Sequence, residues 1–147
     1  MKIIVIWHIV AFLLLTTMAG VLHGQEIMEH TRMIAGGYGE INELDANPRL
    51  QEVATYAVEQ ITQNDNIQLN KNYSFASYLT TSENGEKNYS VKVVHAYQQV
   101  VAGMNYKMII AIHDLKNNKC IGSFKVTVYD HFGDLSVSNW GGEISCT

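Results

Sequence analysis

Residues 47–63 read Asn-Pro-Arg-Leu-Gln-Glu-Val-Ala-Thr-Tyr-Ala-Val-Glu-Gln-Ile-Thr-Gln, and the fold turns on this stretch. Asn47 is a good N-cap, and Pro48 suits the first helical position, where its missing N–H is not needed. Leu50, Val53, Ala54, Ala57 and Ile61 follow at helical spacing as one apolar stripe. The helix is expected to stop near Gln63, where Asn64-Asp65-Asn66 breaks the pattern. No other segment past residue 24 carries such a stripe, so one helix has to cover whatever the rest of the chain builds.

The rest reads as strand. Residues 89–97 are rich in Val and Tyr; Tyr106, Met108, Ile110 and Ile112 alternate with Asn105, Lys107, Ile109 and Ala111; Phe124, Val126 and Val128 alternate with Lys125, Thr127 and Tyr129. Period two with one apolar face predicts an antiparallel sheet covered on one side. The fold class is therefore α+β, with one long helix packed across an antiparallel β-sheet. Between helix and sheet, Lys71-Asn72-Tyr73-Ser74 recurs as Lys87-Asn88-Tyr89-Ser90 around the hairpin signal Asn84-Gly85. This predicts an extra strand or flap near residues 73–81. Both copies hold an N-x-S sequon, which makes Asn72 and Asn88 candidate glycosylation sites beside the plain alternative of chance occurrence.

The chain opens Met1-Lys2, runs apolar from Ile3 to Leu15 apart from His8, and turns to small residues at Thr16-Thr17-Met18-Ala19-Gly20. That is the layout of a secretory signal peptide over residues 1–24, with cleavage after Ala19 or Gly24, and its apolar run is short for a membrane span. Residues 25–147 suffice for a single domain with one core. The formal net charge is −4 and no Lys/Arg cluster occurs, which argues against nucleic acid and anionic membrane surfaces as partners. An even pair of cysteines, Cys120 and Cys146, in a secreted chain predicts one disulfide.

Turn positions place the loops. With hairpins turning at Val101-Ala102 and Asn117-Asn118, reflection sets His131 level with Met104. The Asp130-His131-Phe132-Gly133 turn then shares a sheet edge with Val100–Gly103. Reflecting Cys120 through that turn sets it near Ile144, close to Cys146. The same reflections place Met108 opposite His95 and Gly122 opposite His113. The evenly spaced His95, His113 and His131 thus fall at different heights and cannot converge on one ion, so no metal is expected. With the cysteines paired no thiol is left for a Cys/His nucleophile, and no phosphate-cradling glycine loop follows a strand. Neither an enzyme nor a cofactor is expected.

Gln99-Val100-Val101-Ala102-Gly103 resembles the Q-x-V-x-G loop of the cystatins, protein inhibitors of papain-like cysteine proteases. Gly36-Gly37 is similar to the glycine that hinges the family's N-terminal trunk, and Val53-Ala54-Thr55-Tyr56-Ala57-Val58 resembles the helix signature of plant-type and some insect members. The resemblance covers most of residues 25–147 and implies a secreted inhibitor that wedges reversibly, without a covalent bond, into a cathepsin-type active-site cleft. The expected contact residues are Gly36, Gly37, Gln99, Val100, Val101, Ala102, Gly103, His131 and Phe132, with Met33-Ile34-Ala35 along the unprimed subsites.

Three departures stand out. The family's second hairpin usually presents Pro-Trp, and here His131-Phe132 takes its place, making Phe132 the expected aromatic anchor. Only the second of the two disulfides usual in secreted vertebrate-type members can exist, and the 64–88 connection is longer than the family's. Asn64-Asp65 is similar to a segment with which some secreted members inhibit legumain-type proteases, though Gln63 stands where they have serine. A monomer is expected. The alternative is a secreted module of the same fold that binds a partner without inhibiting a protease.

Overall fold

The structure, a computed structural model, describes residues 36–63 and 71–146. The expected signal peptide with its boundary at 24, the Met33-Ile34-Ala35 trunk and Asn64-Asp65 lie outside the described residues. Helix α1 spans Pro48–Thr62. Asn47 keeps an extended backbone, and its Oδ1 accepts the Leu50 N–H at 3.0 Å, satisfying one of the amides that the first turn leaves unpaired. Gln63 returns to an extended conformation and ends the helix where the sequence loses its stripe. Leu50, Val53, Ala54, Ala57, Val58 and Ile61 are all fully buried. Burial of each Leu, Ile or Val is worth roughly 1.5–3 kcal/mol as an upper estimate.

The helix lies on a five-stranded antiparallel sheet whose strands follow chain order: β1 (Gly39–Glu40), β2 (Tyr89–Val101), β3 (Gly103–Asp114), β4 (Cys120–His131) and β5 (Asp134–Ile144). Tyr106, Met108, Ile110 and Ile112 of β3 and Phe124, Val126 and Val128 of β4 are buried as the alternation predicts. In β2 the buried parity changes from Tyr89 and Val93 to Ala96, because a bulge between Val93 and His95 inserts one residue. Further irregularities lie between Ile112 and His113 and along β5.

The observed register differs from the expected one near the tips. Val101 pairs with Gly103 across a single tip residue, so His95 faces Ile109 where Met108 was expected, and Asp130, one residue before His131, faces Met104. His113 faces Cys120 where Gly122 was expected. His95 and His113 still lie at different heights, four residues apart along β3.

The 73–81 segment is not a strand. Of the expected flap pairing around Asn84-Gly85 there remain an isolated bridge, Thr81 to Lys87, and backbone bonds from the Ser82 N–H to the Glu86 carbonyl at 2.8 Å and from the Asn88 N–H to the Thr80 carbonyl at 3.3 Å. The chain instead makes a tight turn and one turn of 3₁₀ helix at Ala76–Tyr78, dropping Tyr73 and Phe75 into the core. Phe75 is fully buried against Gly122, where any β-carbon would strike its ring. Tyr73 and Phe75 pack on Phe124 with centroids 5.4 and 5.6 Å away, and the Tyr73 hydroxyl donates to the Gly141 carbonyl at 2.6 Å. The aromatics close the end of the core, and that burial outweighs pairing along a sheet edge. Trp140 joins this cluster over Phe124, away from the hairpin tips.

Cys120 and Cys146 form a disulfide at the end of the sheet far from those tips. A bridge across 26 residues stabilises the fold by roughly 3–4 kcal/mol in the chain-entropy model. The architecture is α+β and consistent with a cystatin fold.

Candidate functional site

Two hairpin tips lie side by side at one edge of the sheet, because Met104 pairs with Asp130 and so sets the end of β2–β3 beside the end of β4–β5. At the first tip, Ala102 alone separates Val101 from Gly103. So tight a reversal needs a left-handed residue, and Gly103 supplies it at φ +120°. A β-carbon there would collide with the backbone oxygen of Asp130 and crowd the Tyr129 ring at 3.2 Å. The Tyr129 hydroxyl also donates to the Ala102 carbonyl, bracing the tip from β4. Val100 and Val101 are 47% and 42% exposed, so the tip is narrow, stiff and apolar.

The second tip is built differently. His131 pairs with Asp134, leaving Phe132 and Gly133 as a two-residue turn with φ +54° and +112°. Both residues in the left-handed region is the requirement of the commonest two-residue hairpin turn. Phe132 is 84% exposed, its ring meeting only the edge of His131 at 5.1 Å, and His131 in turn stacks on Tyr129. Between the tips an open depression of about 500 Å³ is lined by Val100, Val101, Met104, Phe132 and the Arg49–Asp130 pair.

The amino-terminal glycines sit against the same edge. Gln99 donates from Nε2 to the Gly36 carbonyl at 2.8 Å, while Asn105 donates to the Gln99 Oε1 at 3.3 Å. Gly36 takes φ +86°, and exposed Gly37 leads into β1. The first residue of the pentapeptide therefore ties Gly36 to the hairpin, whereas Val100, Val101 and Ala102 are exposed.

Sequence reasoning places Asp130 in the second turn but gives its side chain no role, and it does not single out Arg49 or Tyr129. Asp130 Oδ1 accepts the Gly133 N–H at 2.8 Å, and its Oδ2 accepts Arg49 Nε at 2.8 Å and lies 2.7 Å from Nη2. Burial pushes the Asp130 carboxyl up, but the Gly133 N–H and the Arg49 guanidinium outweigh that and hold it below the ordinary value. Arg49 is held above its ordinary value by Glu52 and Asp130. Burial raises the Tyr106 hydroxyl, with Asp130 adding to the effect. Arg49 and Asp130 are 81 residues apart, and no sequence pattern links them.

No group of three His, Cys, Asp or Glu side chains able to hold a metal ion occurs among the described residues. Asn72 and Asn88 are both exposed, away from the hairpin tips. Asn88 precedes β2 at the opposite end of the sheet, its Oδ1 accepting the Thr80 N–H at 3.2 Å, while Ser74 of the other sequon bonds Glu143.

No family model and no solved structure matches the chain significantly. Among curated proteins it is similar to Cysteine proteinase inhibitor 1 of Actinidia chinensis var. chinensis, 31% identical over 109 residues that span 71% of this chain and 74% of the relative. Together with the α+β fold, that likeness places the chain in the cystatin family of cysteine proteinase inhibitors, whose members are not enzymes.

Proposed function

We propose that this protein is a reversible, non-covalent inhibitor of papain-like cysteine endopeptidases of the cathepsin type. The observation that carries the reading is the pairing of two left-handed hairpin tips at one sheet edge, one narrow and aliphatic, the other presenting an exposed Phe132. Val100, Val101 and Ala102 enter the active-site cleft, where stiff small side chains lose little freedom on binding. Phe132 lies on the cleft rim as an aromatic anchor beside His131. The leader runs from Gly36 along the unprimed subsites, set at its start by the Gln99 bond. No peptide bond need be offered to the catalytic thiolate, so binding blocks the site without acylation.

On this reading the protein acts outside the cell as a monomer. The apolar leader, the single disulfide and the two sequons are consistent with passage through an oxidising secretory route. N-glycans on Asn72 and Asn88 would stand away from the hairpin tips and leave the inhibitory edge clear.

Titration of residues 25–147 against active-site-calibrated papain and a cathepsin L-type enzyme tests the proposal. The expected result is reversible, stoichiometric loss of activity that protects the catalytic thiol from alkylation. Full protease activity at micromolar inhibitor would refute it.

A further inference from the structure

Phe132 poses a physical problem. A bulky residue at φ +54° sits in a region that costs on the order of 1–3 kcal/mol, and its own ring makes too little contact to offset that. Something else must hold the turn. Gly133 meets nothing within 4 Å at the position of a β-carbon, so packing does not supply the restraint.

Beyond the backbone pairing of His131 with Asp134, the side-chain restraint comes from Asp130. One carboxylate oxygen closes the turn by accepting the Gly133 N–H, and the other accepts Arg49 Nε and lies 2.7 Å from Nη2 in the same ion pair. The guanidinium is itself oriented by Glu52, one turn along α1, through Nη1 at 2.7 Å. A charge-assisted hydrogen bond inside a close ion pair is stronger and shorter than a neutral one, so it restrains the carboxylate. The helix start and the hairpin tip are thus tied by a charged bond as well as by the packing of Leu135 and Tyr56 on the core.

We propose that Asp130, held by Arg49, is the positioning residue of the second hairpin, setting the angle at which Phe132 meets the protease. This deepens the inhibitory reading and rests on it. Neither side chain needs to touch the enzyme. Their effect on inhibition passes through Phe132, which separates this role from a general contribution to stability.

The test is a cycle of inhibition constants against papain for the wild type, Arg49→Met, Phe132→Ala and the double variant, with Arg49→Lys alongside. Gly133 amide hydrogen exchange is followed in the free proteins. Arg49→Met is expected to weaken inhibition about tenfold in the wild-type background and less than about twofold once Phe132 is gone. Arg49→Lys should recover part of the loss, and Gly133 exchange should accelerate in Arg49→Met while the buried amides of β3 stay protected. An equal loss in both backgrounds, or unchanged Gly133 exchange, overturns the proposal. If the wild type does not inhibit papain the inhibitory reading fails, and the Gly133 measurement alone still decides whether the pair holds the turn.

Discussion

The two hairpin tips solve one geometric task by opposite means. The first is held from outside: Gly103 nests against the Asp130 backbone and the Tyr129 ring, and Tyr129 grips the Ala102 carbonyl. The second stands in solvent, with an exposed aromatic and an unobstructed Gly133, and beyond its own strand ladder it is braced by a single carboxylate side chain. A tip fixed by packing tolerates almost no change of shape. A tip fixed by a charged bond tolerates changes of shape but depends on that bond.

The largest effect should come from the packed tip. Gly103→Arg forces a long side chain onto a left-handed backbone already closed by Asp130, and should weaken papain inhibition by more than about 100-fold, roughly 3 kcal/mol. If its inhibition constant stays within about fivefold of wild type, the first tip is not the wedge. Next comes Phe132→Ala, expected to cost about 10- to 30-fold in inhibition with an unchanged melting temperature, since little of the ring is buried. A lowered melting temperature would mean that Phe132 supports the fold after all.

The contrast sharpens with matched alanines. Gly103→Ala should destabilise by about 2–3 kcal/mol, through backbone strain plus the collision with Asp130, whereas Gly133→Ala should cost about 1 kcal/mol for strain alone. Equal shifts in chemical denaturation midpoints would erase the distinction between a packed and an open tip.

The smallest effect is one of pH. The folded Asp130 value is depressed, so its stabilisation is fully present above the ordinary aspartate value of 3.8 and disappears as pH falls through the lower folded value. The groups facing it, Arg49 and Tyr106, do not change charge in that range, and Glu52 acts only through Arg49. Stability should carry an Asp130 component that is flat above about pH 4, fades below it, and is missing in Asp130→Asn. Melting curves of the two proteins from pH 2.5 to 6 that run parallel would contradict this.

Much of the fold could be read from residues in isolation. Asn47-Pro48 and the Leu50–Ile61 stripe specify a helix locally, and the alternation in β3 and β4 specifies a covered sheet. Tyr73 and Phe75 could not be placed that way, because their spacing suits a strand while their burial depends on Gly122 leaving room nearly fifty residues later. The register slipped because the single-residue tip of the first hairpin and the irregularity between Ile112 and His113 are set by backbone conformation, which no side-chain pattern announces. At the edge, the pentapeptide and Phe132 were visible as motif and turn. The roles of the Tyr129, Asp130 and Arg49 side chains were not, since they arise only when distant segments meet. The buried aromatics also change what a deletion can test: removing residues 66–86 would take Phe75 out of the core, so lost binding in such a variant would report unfolding.

The disulfide gives the exposed turn a safeguard. A cut between Phe132 and Gly133 would leave two polypeptides, one carrying Cys120 and the other Cys146, still joined by their sulfur–sulfur bond and by the ladder between β4 and β5. A nicked molecule would run as one band without reductant and as two with it, and could keep its first hairpin tip in place after losing continuity at the second.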